Sequence, residues 1–93
     1  MTKERITQVL RFLPDRFSAK QFSFFFVLCF PAEKAKIIAN VVEKGKLEFE
    51  TYLDRYYLSS LKRNNVLSCM KKGSVDEIRW TKDINYKKFK IIV

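Results

Sequence analysis

Apolar residues recur along the first third of the chain with a helical period. Ile6, Val9, Leu10 and Leu13 fall at i, i+3, i+4 and i+7, the stripe of a helix packed against a core. This predicts a first helix over residues 2–13, with Lys3, Arg5 and Arg11 off the stripe and Pro14-Asp15 ending it. A second helix begins at Ser18, where Gln21 three residues on completes a capping box. Phe17 before the cap and Phe22 four positions after it have the spacing of a hydrophobic staple. Phe22, Phe25, Phe26 and Cys29 then make one face, and Phe24, Val27 and Leu28 cover much of the rest. A helix apolar nearly all round is buried on more than one side. Its second cover is either the C-terminal part of this chain or another copy. A third helix starts at Pro31, whose fixed φ suits a first helical position. It ends at Lys44-Gly45, a basic last turn followed by a residue that tolerates a left-handed conformation.

Beyond Gly45 the period changes. Residues 46–50 (KLEFE) alternate polar and apolar, the pattern of a half-buried strand. From Thr51, Leu53, Tyr57 and Leu61 at i, i+4 and i+8 predict a fourth helix over residues 51–63, ended by Asn64-Asn65. The runs VLSCM and VDEIRWT flank Lys71-Lys72-Gly73-Ser74 and read as a hairpin with a basic tip. In the last run Phe89, Ile91 and Val93 alternate inward with Lys88 and Lys90 outward. The expected fold class is therefore α+β: a three-helix, helix-turn-helix core followed by a further helix and a small antiparallel sheet or hairpin.

Ninety-three residues make a single domain, 1–93. An apolar share of 47% with 15% aromatic residues argues against disorder. The formal net charge of +9 favours a polyanionic partner. Residues 1–50 carry nine basic and six acidic side chains, and residues 51–93 carry ten and four, so the excess is heavier at the C-terminal end. Two distant cysteines, Cys29 and Cys69, no C-x-x-C and no histidine leave a zinc site without support and make a reducing compartment the default.

Two segments, E-R-I-x-x-V-L-R-F-L-P-x-x-F-S-A-K-Q-F and K-A-K-I-I-A-N-V-V-E-K-G-K-L-E, resemble the winged helix-turn-helix DNA-binding superfamily over residues 2–50. The resemblance implies a winged-helix-like domain with residues 31–44 as recognition helix in the DNA major groove. Glu33, Lys34, Lys36 and Asn40 would then face bases and phosphates. Ser18 and Lys20 would meet a phosphate at the start of the preceding helix. Lys71, Lys72 and Arg79 would form a basic wing on phosphates or the minor groove. The chain departs from the pattern in two places. Its turn Cys29-Phe30-Pro31 is apolar and lacks glycine, and a helix intervenes before the hairpin. A second framing takes residues 32–44 as the first helix and 65–81 as strand, wing and strand. The hairpin then follows Leu61-Lys62-Arg63 directly, although residues 48–64 leave only one short stretch for two helices.

Enzymatic readings find little to work with. Absence of histidine removes the commonest general base, and the carboxylates show no spacing of a dyad or metal cluster. With two glycines in all there is no phosphate-cradling loop. No cofactor and no metal are expected. The run FSFFFVLCF is too short to span a bilayer, which takes roughly 20 apolar residues, and starts too late for a signal sequence. The expected location is intracellular. The lysine, phenylalanine, isoleucine and asparagine bias would suit an AT-rich genome such as a viral or mobile-element one. The leading expectation is a non-enzymatic regulator that binds double-stranded DNA, with a homodimer as one form. Tyrosines 52, 56, 57 and 86, Trp80 and Phe89, interleaved with lysines, would in a variant of this reading stack on single-stranded bases. The rival is a protein-interaction factor that binds or inhibits a partner through its aromatic surface.

Overall fold

The staple and cap at residues 17–22 form as a unit and set the direction of the central helix. Ser18 Oγ accepts the Gln21 N–H at 3.1 Å, and Gln21 Oε1 accepts the Ser18 N–H at 2.8 Å. The Phe17 and Phe22 rings stack beside them with centroids 6.4 Å apart. The computed structural model describes residues 2–45, 47–70, 73–83 and 86. The expected terminal strand beyond Tyr86 and the residues Lys46, Lys71 and Lys72 lie outside that set.

Helix α1 is α-helical over Lys3–Gln8 and tightens to a 3-10 turn over Val9–Phe12. All four stripe residues are buried. Thr2 caps the helix through Oγ1, which accepts the Arg5 N–H at 3.3 Å. Strand β1, Arg16–Ser18, follows and hands the chain to α2, Ala19–Cys29. Helix α3 runs Pro31–Ile37 and continues through a π-helical segment, Ile38–Val42. Helix α4 is α-helical over Phe49–Tyr52, π-helical over Leu53–Leu58 and α-helical again over Ser59–Arg63. Strands β2, Leu67–Cys69, and β3, Ile78–Lys82, complete an antiparallel sheet in the order β1-β3-β2. The four helices and three antiparallel strands of the described residues are thus an α+β fold whose closing helix and hairpin are compatible with a winged-helix-like arrangement.

Phe26 is the centre of the core. Fully buried, its ring lies 6.0 Å from Phe22, 5.7 Å from Phe30, 6.2 Å from Phe49 and 5.5 Å from Tyr57. Three of these contacts join α2 to the α2–α3 turn and to α4. The cover for α2 is therefore the C-terminal half of the same chain, on one side. The apolar turn has its reason here too: Phe30 packs on Phe26 and carries the Arg5 guanidinium 4.9 Å above its ring.

Three local expectations are corrected. No strand forms over the described part of residues 46–50. Glu48 is extended, as an N-cap, and Phe49 opens α4 because its ring docks on Phe26. Five alternating residues are too few to overrule that burial. The buried stripe of α4 also shifts: Leu53 and Leu61 are buried as expected, but the fully buried residue between them is Leu58, with Tyr57 only half-buried. The π-helical turn makes i and i+5 equivalent where the α-helix would pair i with i+4. The second strand of the hairpin starts later than expected, at Ile78 and not Val75. Residues 75–77 belong to its loop, where the Glu77 N–H donates to Ser74 O at 3.2 Å.

Candidate nucleic-acid interface

The expected contact residues that are described do not form one surface. Ser18 is 3% exposed and its hydroxyl caps Gln21. The donors that an anion would need at the start of α2 are in use: the Lys20 N–H donates to Val75 O at 2.9 Å and the Gln21 N–H to Ser18. The hairpin loop thus folds over this helix end, and Lys20 Nζ reaches Asp76 at 3.6 Å. Arg79, expected on a wing, is 7% exposed. Its guanidinium pairs with the Asp54 carboxylate of α4 and donates from Nη1 to Cys69 Sγ at 3.1 Å. Trp80 Nε1 donates to the other Asp54 oxygen at 2.8 Å. A one-residue irregularity in the β1–β3 pairing lies at this level, between Phe17↔Trp80 and Ser18↔Ile78. Arg79 is a bolt between helix and sheet, and burial removes it from any solvent-facing wing. Lys71 and Lys72 are outside the described residues.

On α3, Glu33 pairs with Lys36 at 3.7 Å, and Lys34 is half-buried with Nζ 5.9 Å above the Phe49 ring. Lys36 and Asn40 are exposed. Only Ile37 of this helix is buried, so α3 lies at the margin of the core with its charges partly committed.

A second cationic surface was not among the expected contacts. Along α4, Arg55, Tyr56, Lys62 and Arg63 are all exposed, and among the described residues Arg55, Lys62 and Arg63 make no ion pair. Arg55 and Lys62 stand seven residues apart, about 10 Å along the axis. Asp54 on the same helix is neutralised from beneath by Arg79. Asp54, the acid next to Arg55, is thus engaged on the inward side. A usable signal was present in the sequence: in Arg55–Arg63 the segment RYYLSSLKR carries three cations and no acid. The expected helical phase obscured which face they occupy.

Beside Arg55 and Tyr56 lies a hollow of about 300 Å³ lined also by Val41, Leu47 and Tyr52. The Tyr52 and Tyr56 rings are 5.0 Å apart, tilted by 44°. Val41 comes from one π-helical segment and Arg55 and Tyr56 from the other; such turns occur mostly as isolated insertions in α-helices, frequently at functional sites. Under this face, burial pushes the Tyr57 phenol up to about 12, with Tyr52 and Glu33 adding to the shift. Tyr86 is raised as well, chiefly by burial, against a lowering contribution from Arg11.

On α2, Phe24 and Leu28 are 62% and 65% exposed, one helical turn apart. Phe24 packs edge-on to Phe25, and Phe12 stacks on Phe25 at 5.9 Å. Phe24 and Leu28 also border a groove of about 310 Å³ that includes Val27, Phe49 and the lysines Lys20 and Lys34. Among the described residues no group of histidine, cysteine or carboxylate side chains could hold a metal ion, and no helix is long and apolar enough to cross a membrane. Compared with family models, with curated proteins and with solved structures, the chain matches none.

Proposed function

We propose that the protein binds double-stranded DNA without catalysing a reaction, and that α4 is the helix that meets the duplex. The carrying observation is that Arg55, Lys62 and Arg63 are exposed and without an ion pair among the described residues, on the helix that leads straight into the hairpin. This is the connection that the second framing of the winged-helix resemblance requires. Arginine and lysine on one face donate to phosphates and to guanine acceptors, and the net charge of +9 steers a polyanion toward the chain. Regulation of transcription is the role such binding would serve.

The test is a salt titration of binding to a mixed-sequence duplex. Each phosphate neutralised by a cation steepens the fall of log affinity against log salt by about 0.9. An affinity that is absent at low salt, or flat against salt, sinks the proposal.

A second reading rests on a separate observation, the exposed Phe12, Phe24 and Leu28. An apolar surface of this kind, from the end of α1 and from α2, fits a protein partner, a second copy of the chain included. Sedimentation at micromolar concentration tests the second copy. A dimer that becomes monomeric on Phe24→Ser with Leu28→Ser supports it; a monomer at every concentration leaves only a different protein as partner.

A further inference from the structure

We infer that the hollow beside Tyr56 receives an unpaired nucleobase, so that this chain engages single-stranded nucleic acid at one end of α4. The inference rests on the nucleic-acid reading of that helix and adds the class of ligand. Three features carry it. The hollow is large enough for a planar heterocycle, at about 300 Å³, and Val41, Leu47, Tyr52 and Tyr56 are among the residues that line it. Among the described residues its one charged lining group is Arg55, which has no acidic partner among them. Tyr56 is 50% exposed although the tilted ring of its neighbour Tyr52 packs against it at 5.0 Å, so the ring is held by a neighbour while it remains open to solvent.

A duplex backbone alone has no use for such a site. Phosphates are met by cations, and a cationic face needs no aromatic hollow. Stacking of a base on an aromatic ring, with a guanidinium beside it for the adjoining phosphate, uses both Tyr56 and Arg55. A free nucleotide would offer the same base and phosphate. The continuation of the cationic track to Lys62 and Arg63, away from the hollow, favours a strand, because a mononucleotide would reach only Arg55.

The experiment compares an oligo(dT) of about twelve nucleotides, within the range that single-strand-binding folds occupy, with an abasic oligonucleotide of equal length and charge. One stacked base is expected to make oligo(dT) bind about tenfold tighter. Tyr56→Ala is expected to abolish that difference, and Tyr56→Phe to keep it, since stacking needs the ring and not the hydroxyl. Excess thymidine monophosphate should fail to displace oligo(dT). Equal affinity of the wild-type chain for oligo(dT) and the abasic strand overturns the inference while leaving salt-dependent duplex binding intact. Retention of the difference in Tyr56→Ala overturns the assignment to this hollow, and displacement by the mononucleotide overturns the strand as ligand. No binding to either strand or to duplex overturns both this inference and the reading beneath it.

Discussion

Asp54 on α4 and Arg79 on β3 are joined as a buried ion pair across 25 residues of chain, and Trp80 donates to the same carboxylate at 2.8 Å. Arg79 keeps one further nitrogen, Nε, buried without a hydrogen-bond partner. Removing Asp54 would leave a guanidinium charge in the interior. The Asp54→Ala variant is therefore expected to lose about 3–5 kcal/mol of stability, measured by urea denaturation. Asp54→Leu combined with Arg79→Met should recover much of the loss, because an apolar pair of similar volume leaves no orphaned charge. If the double change is as damaging as the sum of its parts, the two residues are not coupled.

Phe26 and Phe24 are two residues apart on one helix with opposite environments. Phe26→Ala opens a cavity amid four aromatic neighbours and is expected to cost about 3–5 kcal/mol. Phe24→Ala removes a largely exposed ring and should change stability by no more than about 0.5 kcal/mol. Melting curves of the two variants check the contrast. A large loss for Phe24→Ala would mean that its ring is covered in solution.

Gly45 has φ +70°, and a Cβ added there would meet nothing within 4 Å. Gly45→Ala should thus cost about 1–2 kcal/mol from left-handed backbone strain alone, with no steric component. Ser18→Ala, which removes the cap of α2, should cost about 1 kcal/mol. The two sites are remote in sequence and share no hydrogen-bond partner. Their effects in a double variant are expected to add within about 0.5 kcal/mol.

Tyr57 gives the fold a pH dependence of definite sign. Its phenol is held neutral to about 12 in the folded chain, against an ordinary value of 10.0. Between those two pH values the unfolded chain releases the proton and the folded chain retains it, so stability falls as pH rises. The contribution is fully present below pH 10. Tyr57→Phe should flatten the decline across this interval in chemical denaturation series, and an unchanged decline would place its origin elsewhere.

Charge reversal separates the two helices that could meet DNA. Lys62→Glu with Arg63→Glu on α4 should reduce duplex affinity and flatten the salt slope by about 2 or more. Lys34→Glu with Lys36→Glu on α3 should do less, because Lys34 is half-buried against Phe49 and Lys36 lies near Glu33. The reverse ranking would return the contact to α3. Circular dichroism of each variant separates lost binding from lost folding.

How much was legible follows from the range of each interaction. The cap, the staple and the left-handed end at Gly45 were readable because each joins residues within a few positions of one another. So were the stripe of α1 and the existence of four helices. The sequence alone determined the helix order, the place of its firmest boundary and the excess of positive charge.

Tertiary structure decided the rest. Strand β1 is three residues long and exists because Arg16 and Phe17 pair with Thr81 and Trp80, more than sixty positions away. Phe49 became a helix start through its contact with Phe26. The inward phase of α4 came from a π-helical turn, at whose end Ser59 Oγ donates back to Asp54 O at 3.1 Å. Arg79 reads as a surface cation in any window of the chain, because its own neighbours do not include the carboxylate that buries it. A charge belongs to the surface or to the core according to the partner that folding brings to it. Here Asp54 takes Arg79 inward and leaves Arg55, Lys62 and Arg63 outside.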